Sequence, residues 1–320
     1  MSDAEVNLPL PLHEEVGGGD APKVEAVGVR SPLRRFVFGF TRSRVAVAAL
    51  IVVVAISVLA LLAPWIAPQN PYDLAQLDIM DGRLPPGATS GTGMTFWLGS
   101  DDQGRDMLSA ILYGLRISLG VGVGSAIVAG VVGSALGLVA AYAGGKLETA
   151  IMRLVDLQLS FPAILVALMI LAFLGKGIGN VMLAIIIVEW ARYARTARGA
   201  ALSELRREYI EAAEALALPR WRILLRHLLP NCAPPLIVIG TIQIARAITL
   251  EATLSFLGLG VPITEPSLGL LIANGYQYML SGQYWISFYP GIALLVTIMA
   301  INLVGDQLRD VLNPRLARAA

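Results

Sequence analysis

The chain has 320 residues, 56% of them hydrophobic and 15% charged, with a mean hydropathy of +0.69 and a formal net charge of +1. Uncharged runs as long as a bilayer is thick exclude an ordinary soluble domain and make this an all-α polytopic membrane protein. The single cysteine, Cys232, excludes an intrachain disulfide and a thiolate metal site.

Residues 1–29 are rich in Pro, Gly and Glu and lack hydrophobic periodicity, so they read as a disordered tail. Arg30, Arg34, Arg35, Arg42 and Arg44 then precede a first span over 45–68. Its apolar stretch is longer than the core of a cleavable leader, and Pro64 and Pro68 suit a cleavage site poorly; it reads as a retained helix. An external loop over 69–116 follows. Within it Met107, Leu108, Ile111, Leu112 and Leu115 recur at helical spacing, either as a short helix on the outer interface or as the first turns of the next span.

Further spans read at 117–145, 157–175, 177–191, 233–259 and 286–305, giving about six helices of roughly 20 residues each. The second is rich in small residues, with Gly120, Gly124, Gly133 and Gly137 at four-residue spacings that permit close helix approach, within the chain or to a partner. Basic residues mark the cytoplasmic ends. Lys146 and Arg153 follow the second span, Arg192 to Arg226 the fourth, and Arg309, Arg315 and Arg318 the sixth, whereas the alternate loops hold few basic residues, Arg83, Arg105 and Lys176 among them. Both termini are therefore expected in the cytoplasm.

The polar loop 192–232 carries two amphipathic stretches. Leu205, Tyr209, Ala212, Ala213 and Leu216 share one face of an expected helix over 203–217; Pro219 then forces a turn. A second helix is expected from Pro219 to Leu229, with a stripe of Trp221, Leu224, Leu225 and Leu228 and an end at Pro230. Such a bent pair suits docking into a groove on a cytosolic partner, or covering the protein's own membrane base. Inside the membrane stand Glu189, Arg246 and Glu251, each costing roughly 2.5–3.5 kcal/mol at bilayer depth on insertion scales. Glu251 reads as a pathway or interhelical group, Arg246 is too far along the helix to stack on it, and Glu189 is close enough to reach the Arg cluster.

The run Glu211-Ala212-Ala213, Leu216, Trp221-Arg222-Ile223, Arg226-His227 and Leu229-Pro230-Asn231 resembles the EAA motif of ATP-binding-cassette importer permeases. Leu98 to Asp106, Tyr142 to Gly145, Met152 to Asp156, Phe161-Pro162, Glu251 to Gly260 and Gly305 to Asp310 are similar to motifs of the second permease subunit of dipeptide, oligopeptide and nickel importers, so the resemblance covers nearly the whole chain after the tail. It implies a type I importer fold in a bacterial inner membrane. It also implies a homologous second permease subunit, two cytoplasmic ABC ATPase subunits and an extracytoplasmic solute-binding protein, with no nucleic acid involved. Coupling to the ATPases would fall on Glu211, Ala212, Ala213, Leu216, Ala217, Arg222 and Arg226. Ala217 stands where the motif usually has Gly; alanine there is strained by about 1 kcal/mol if φ is positive, and a helical conformation with the bend on Leu218-Pro219 is expected instead.

No G-x-x-x-x-G-K-[ST] loop is present, since Gly145-Lys146 and Gly175-Lys176 lack its other residues, so ATP and Mg are expected on the partner ATPases and no cofactor on this chain. His13 and His227 form no H-E-x-x-H or nucleophile cluster, which argues against a membrane enzyme. The absence of inverted repeats argues against an ion-driven transporter. Small peptides are the expected cargo, with nickel chelates, glutathione or opine-like solutes as alternatives.

Overall fold

The computed structural model describes residues 32–73, 75–91 and 93–312; the expected tail, His13, Arg30, Arg315 and Arg318 lie outside these residues. In chain order the helices are α1 (Pro32–Thr41), α2 (Arg44–Ile66), α3 (Met107–Ala143), α4 (Gly145–Ser160), α5 (Ala163–Leu174), α6 (Ile178–Glu204), α7 (Glu208–Ala215), α8 (Arg220–Arg222), a π-helical turn at Ile223–Leu228, α9 (Leu229–Phe256), α10 (Leu268–Tyr276) and α11 (Trp285–Leu312). A two-stranded antiparallel hairpin, β1 (Ala88–Thr89) and β2 (Thr95–Phe96), lies in the loop after α2.

Among the described residues, four helical stretches are long and apolar enough to cross a membrane: α2, α3, the continuous run Arg220–Phe256, and α11. The α4–α5 pair adds a fifth if it counts as one span, but it bends by 91°. The bend falls at Phe161-Pro162, where the proline ring holds Phe161 extended at φ −94° and ψ 143°. The run expected as a straight span over 157–175 is therefore divided, and α5 alone, at 12 residues, reaches only about 18 Å. Helix α6 is long enough at 27 residues but carries Glu189, Arg192 and Arg195 in its first five turns.

Residues 107–115 form no separate interfacial helix. They are the first turns of α3, a single helix of 37 residues and roughly 55 Å, well beyond the ~30 Å hydrocarbon core. Met107, Ile111 and Leu115 are buried with Trp285 and Ile286 of α11, and this packing keeps the early turns on the span axis. Further along α3 the small residues meet neighbours inside this chain. A Cβ on Gly133 would lie 2.2 Å from the Trp190 carbonyl oxygen and one on Gly137 2.3 Å from that of Ala194, so α3 and α6 touch backbone to backbone. Gly122 instead makes room for the Ile248 side chain of α9.

Proline does not end the helix at residue 230. The Leu229 N–H donates to the Leu224 carbonyl, a five-residue step, so the chain widens into a π-turn just before the proline. A proline ring clashes with the carbonyl four residues back in a regular α-turn; the wider turn relieves that clash and the helix runs on through Pro230, Pro234 and Pro235. As α6 also continues to Glu204, the expected loop over 192–232 shrinks to a hairpin of about 15 residues between Leu205 and Pro219.

Candidate coupling hairpin and intramembrane polar groups

The hairpin begins where α6 ends. Expected as one helix over 203–217, the segment instead breaks at Leu205–Arg207 and restarts as α7, with Arg207 extended at φ −92° and ψ 141°. The Tyr209 hydroxyl donates to Glu204 across this break at 2.8 Å; burial and the Glu204 carboxylate push its pKa up to about 12. Because the break rotates the helix, the buried face of α7 is Ile210 and Ala213, packed on Ile223, Leu218 and Tyr142 of α3. Ala212 is exposed, as is Leu216 at 74%, so the expected five-residue stripe is not the buried one.

Helix α7 closes in a Schellman motif. The Leu218 N–H donates to the Ala213 carbonyl at 3.2 Å and the Ala217 N–H to that of Glu214 at 2.8 Å. That pattern requires a left-handed residue between them, and Ala217 supplies it at φ +51°. The helical conformation expected for Ala217 is thus corrected: the position demands what glycine gives freely, and alanine there costs about 1 kcal/mol. Pro219 follows, as is common after such a cap.

Beyond the bend Ile223 and Leu228 are buried, while Trp221 is 62% and Leu225 59% exposed. The π-turn shifts the face, so the expected stripe of Trp221, Leu224, Leu225 and Leu228 is split between inside and outside. Arg222 lies over the Trp221 ring, 5.7 Å from its centroid. Arg226 and Glu211 are exposed, and the Glu211 side chain makes no hydrogen bond or ion pair among the described residues. Leu216, Trp221 and Leu225 with Glu211, Arg222 and Arg226 form an uncovered, mixed apolar and charged surface at the tip of the bundle.

Not all of the Arg cluster is available to a partner. Arg195 pairs with Asp156 at 2.5 Å and Arg198 with Glu148 at 2.5 Å, tying α6 to α4. Arg192 pairs with Glu189 at 2.9 Å, and Gln243 of α9 donates to the same carboxylate. Glu189, 3% exposed, is therefore an anchored group between α6 and α9. Glu251 is fully buried and accepts from Ser118 of α3 at 2.7 Å and Ser255 at 2.8 Å, with the Ser267 hydroxyl at the start of α10 as a further partner. These bonds tie α9 to α3. Arg246 lies on the opposite side of α9, exposed, and makes no hydrogen bond or ion pair among the described residues. It shares a cavity of about 470 Å³ with Ala163, Ile164, Glu189, Thr249, Leu250 and Thr253.

Sequence reading missed Gln243, Thr249 and Thr253. For the two threonines the signal was the period: Ile242, Arg246, Thr249 and Thr253 recur at four, three and four residues along α9.

The comparisons agree with this architecture. Residues 133–318 match the family described as the binding-protein-dependent transport system inner membrane component, more than half of the chain. The chain belongs to that family. Residues 31–86 of the permease also match the N-terminal TM domain of oligopeptide transport permease C. It is 38% identical over 290 residues to the di/tripeptide transport system permease protein DppC of Pseudomonas aeruginosa, covering 91% of this chain and 94% of that protein. It is 36% identical over 295 residues to the glutathione transport system permease protein GsiD of Pectobacterium atrosepticum, covering 92% and 95%. Among solved structures, an inward-facing MetNI methionine ABC transporter aligns with a TM-score of 0.54 at 20% identity, over 65% of this chain and 98% of that one. The permease thus has the type I importer fold. It is a multi-pass membrane component of an importer rather than an enzyme.

Proposed function

We propose that this permease forms half of the translocation pathway for small peptides, beside a homologous second permease, and that its hairpin transmits movement from two cytoplasmic ATPases that bind ATP and Mg. An extracytoplasmic solute-binding protein delivers the cargo. In this reading both termini and the hairpin face the cytoplasm of a bacterial cell, as the basic residues on α1, α6 and α11 favour. The observation that carries the coupling role is the uncovered hairpin surface. Leu216, Trp221 and Leu225 are more than half exposed beside charged Glu211, Arg222 and Arg226, a combination suited to the rim and centre of a protein interface.

The peptide assignment is supported by full-length relatives named for di/tripeptide and dipeptide transport. The glutathione relative at similar identity keeps a modified tripeptide as the second reading. The test is uptake by proteoliposomes holding this permease, the second permease and the ATPases, supplied with the loaded binding protein. ATP-dependent accumulation of Ala-Ala supports the proposal. Accumulation of glutathione but not of Ala-Ala replaces the substrate class, and accumulation without any ATPase present refutes the coupling role.

A further inference from the structure

On α9 one face is left uncovered by the rest of the chain. Pro235, Val238, Ile239 and Ile242 line a cavity of about 680 Å³ together with Thr196, Ala200, Ser203 and Glu204 of α6. The same face continues as Arg246, Thr249 and Thr253 in the second cavity, beneath Ala163 and Ile164 of α5. The stripe is apolar toward the hairpin end and polar toward the middle of the span.

Arg246 lies ten residues before the end of α9, about 15 Å along the axis, which places it inside the hydrocarbon core. An arginine facing lipid at that depth is strongly disfavoured, so this face borders water or a polar surface. Among the described residues nothing pairs with it. Glu189 borders the same cavity, but its carboxylate is engaged by Arg192 and Gln243. The Thr249 and Thr253 hydroxyls spend their protons on the Ala245 and Thr249 carbonyls at 2.8 and 2.7 Å, so toward the cavity they present acceptor oxygens. The cavity therefore offers one forked cation above two acceptors, with apolar walls from Ala163, Ile164 and Leu250.

We propose that Arg246 receives the carboxylate of the transported solute within the membrane, with Thr249 and Thr253 accepting from its N–H groups. This rests on the peptide reading above and deepens it. The terminal carboxylate is shared by all linear peptides whatever their side chains, and a guanidinium grips it with two parallel hydrogen bonds. A cavity of this size admits one end of an extended peptide and makes no demand on its side chains.

The test is Ala-Ala uptake by the complete reconstituted complex with Arg246→Gln and Arg246→Lys variants. With a wild-type complex that transports Ala-Ala, Arg246→Gln should lower the maximal uptake rate about tenfold or more, the loss expected for a charge-assisted contact. The binding-protein concentration for half-maximal uptake should stay unchanged, and Arg246→Lys should restore part of the rate, because a point charge still attracts the carboxylate. Arg246→Gln transporting at the wild-type rate overturns the proposal. So does loss of copurification of the second permease in Arg246→Gln with recovery in Arg246→Lys, which assigns Arg246 to an ion pair across the subunit interface. A wild-type complex that moves no Ala-Ala fails at the earlier step, and the peptide reading falls with everything built on it.

Discussion

The two ends of α3 are built by opposite rules. At its N-terminal end the loop after α2 is fastened by buried polar contacts. Asp101, fully buried, pairs with Arg105 at 2.6 Å and also accepts the Gln103 and Arg105 N–H groups. Ser100 bonds Asp81 and Leu84, and its carbonyl accepts from Trp285 of α11 at 3.2 Å. Gln69 accepts from the Asp106 N–H at 2.6 Å. At the other end, past Tyr142, the hairpin has three buried apolar residues and a row of exposed ones. One end spends its side chains on its own stability, while the other leaves them for something outside the chain. A bundle fastened at one end and uncovered at the other suits the coupling role proposed for the hairpin.

The largest effect should come from the fastened end. Arg105→Ala leaves Asp101 charged, buried and unpaired and should cost about 3–5 kcal/mol, read as a large fall in the unfolding midpoint of the detergent-solubilised permease. A small shift would mean that the loop is not the rigid end. At the hairpin end, Glu211→Arg should leave stability nearly unchanged, because the side chain is exposed and makes no hydrogen bond or ion pair among the described residues. Uptake should nevertheless fall about tenfold or more, as for a lost charged contact, while ATP hydrolysis continues. Unchanged uptake would remove the hairpin from the coupling role.

Smaller changes sharpen the contrast. Trp285→Phe removes the hydrogen bond to Ser100 and part of a buried ring and should cost about 2 kcal/mol, with no loss of assembly. Ala217→Gly should gain about 1 kcal/mol by relieving the left-handed residue, measured as a higher unfolding midpoint; a loss would show that the strain is compensated. The slightest effect is that of pH. Burial raises the pKa of Asp106, which caps α3 through Ser109. A carboxyl raised in the fold favours the native state below its unfolded value near 3.9, and that contribution disappears as pH rises through the raised value. Asp106→Asn keeps the cap and should flatten this part of the stability–pH curve, whereas an unchanged curve would point to another group.

Much of the permease was legible before any coordinates. Hydropathy marked the long apolar helices because each backbone group in lipid must be bonded within its own helix, which makes the apolar run and the helix one object. The positions of Glu189, Arg246 and Glu251 were visible for the same reason: a charge at bilayer depth needs a cause. What failed was local. Proline was read as a stop at residue 230 and alanine as helical at residue 217, and each reading followed the intrinsic preference of the residue. A π-turn and a Schellman cap overrode both.

The sequence by itself determined the class of the fold, the charge asymmetry and the family, because these depend on composition and order alone. Only the tertiary structure decided that Glu251 is an interhelical anchor and Arg246 an uncovered cation, five residues apart on one helix. Which side of α9 meets α3 and which meets the cavity depends on packing between distant segments, such as Gly122 of α3 against the Ile248 side chain. The spacing of small residues permits such an approach but does not name the helix that makes it.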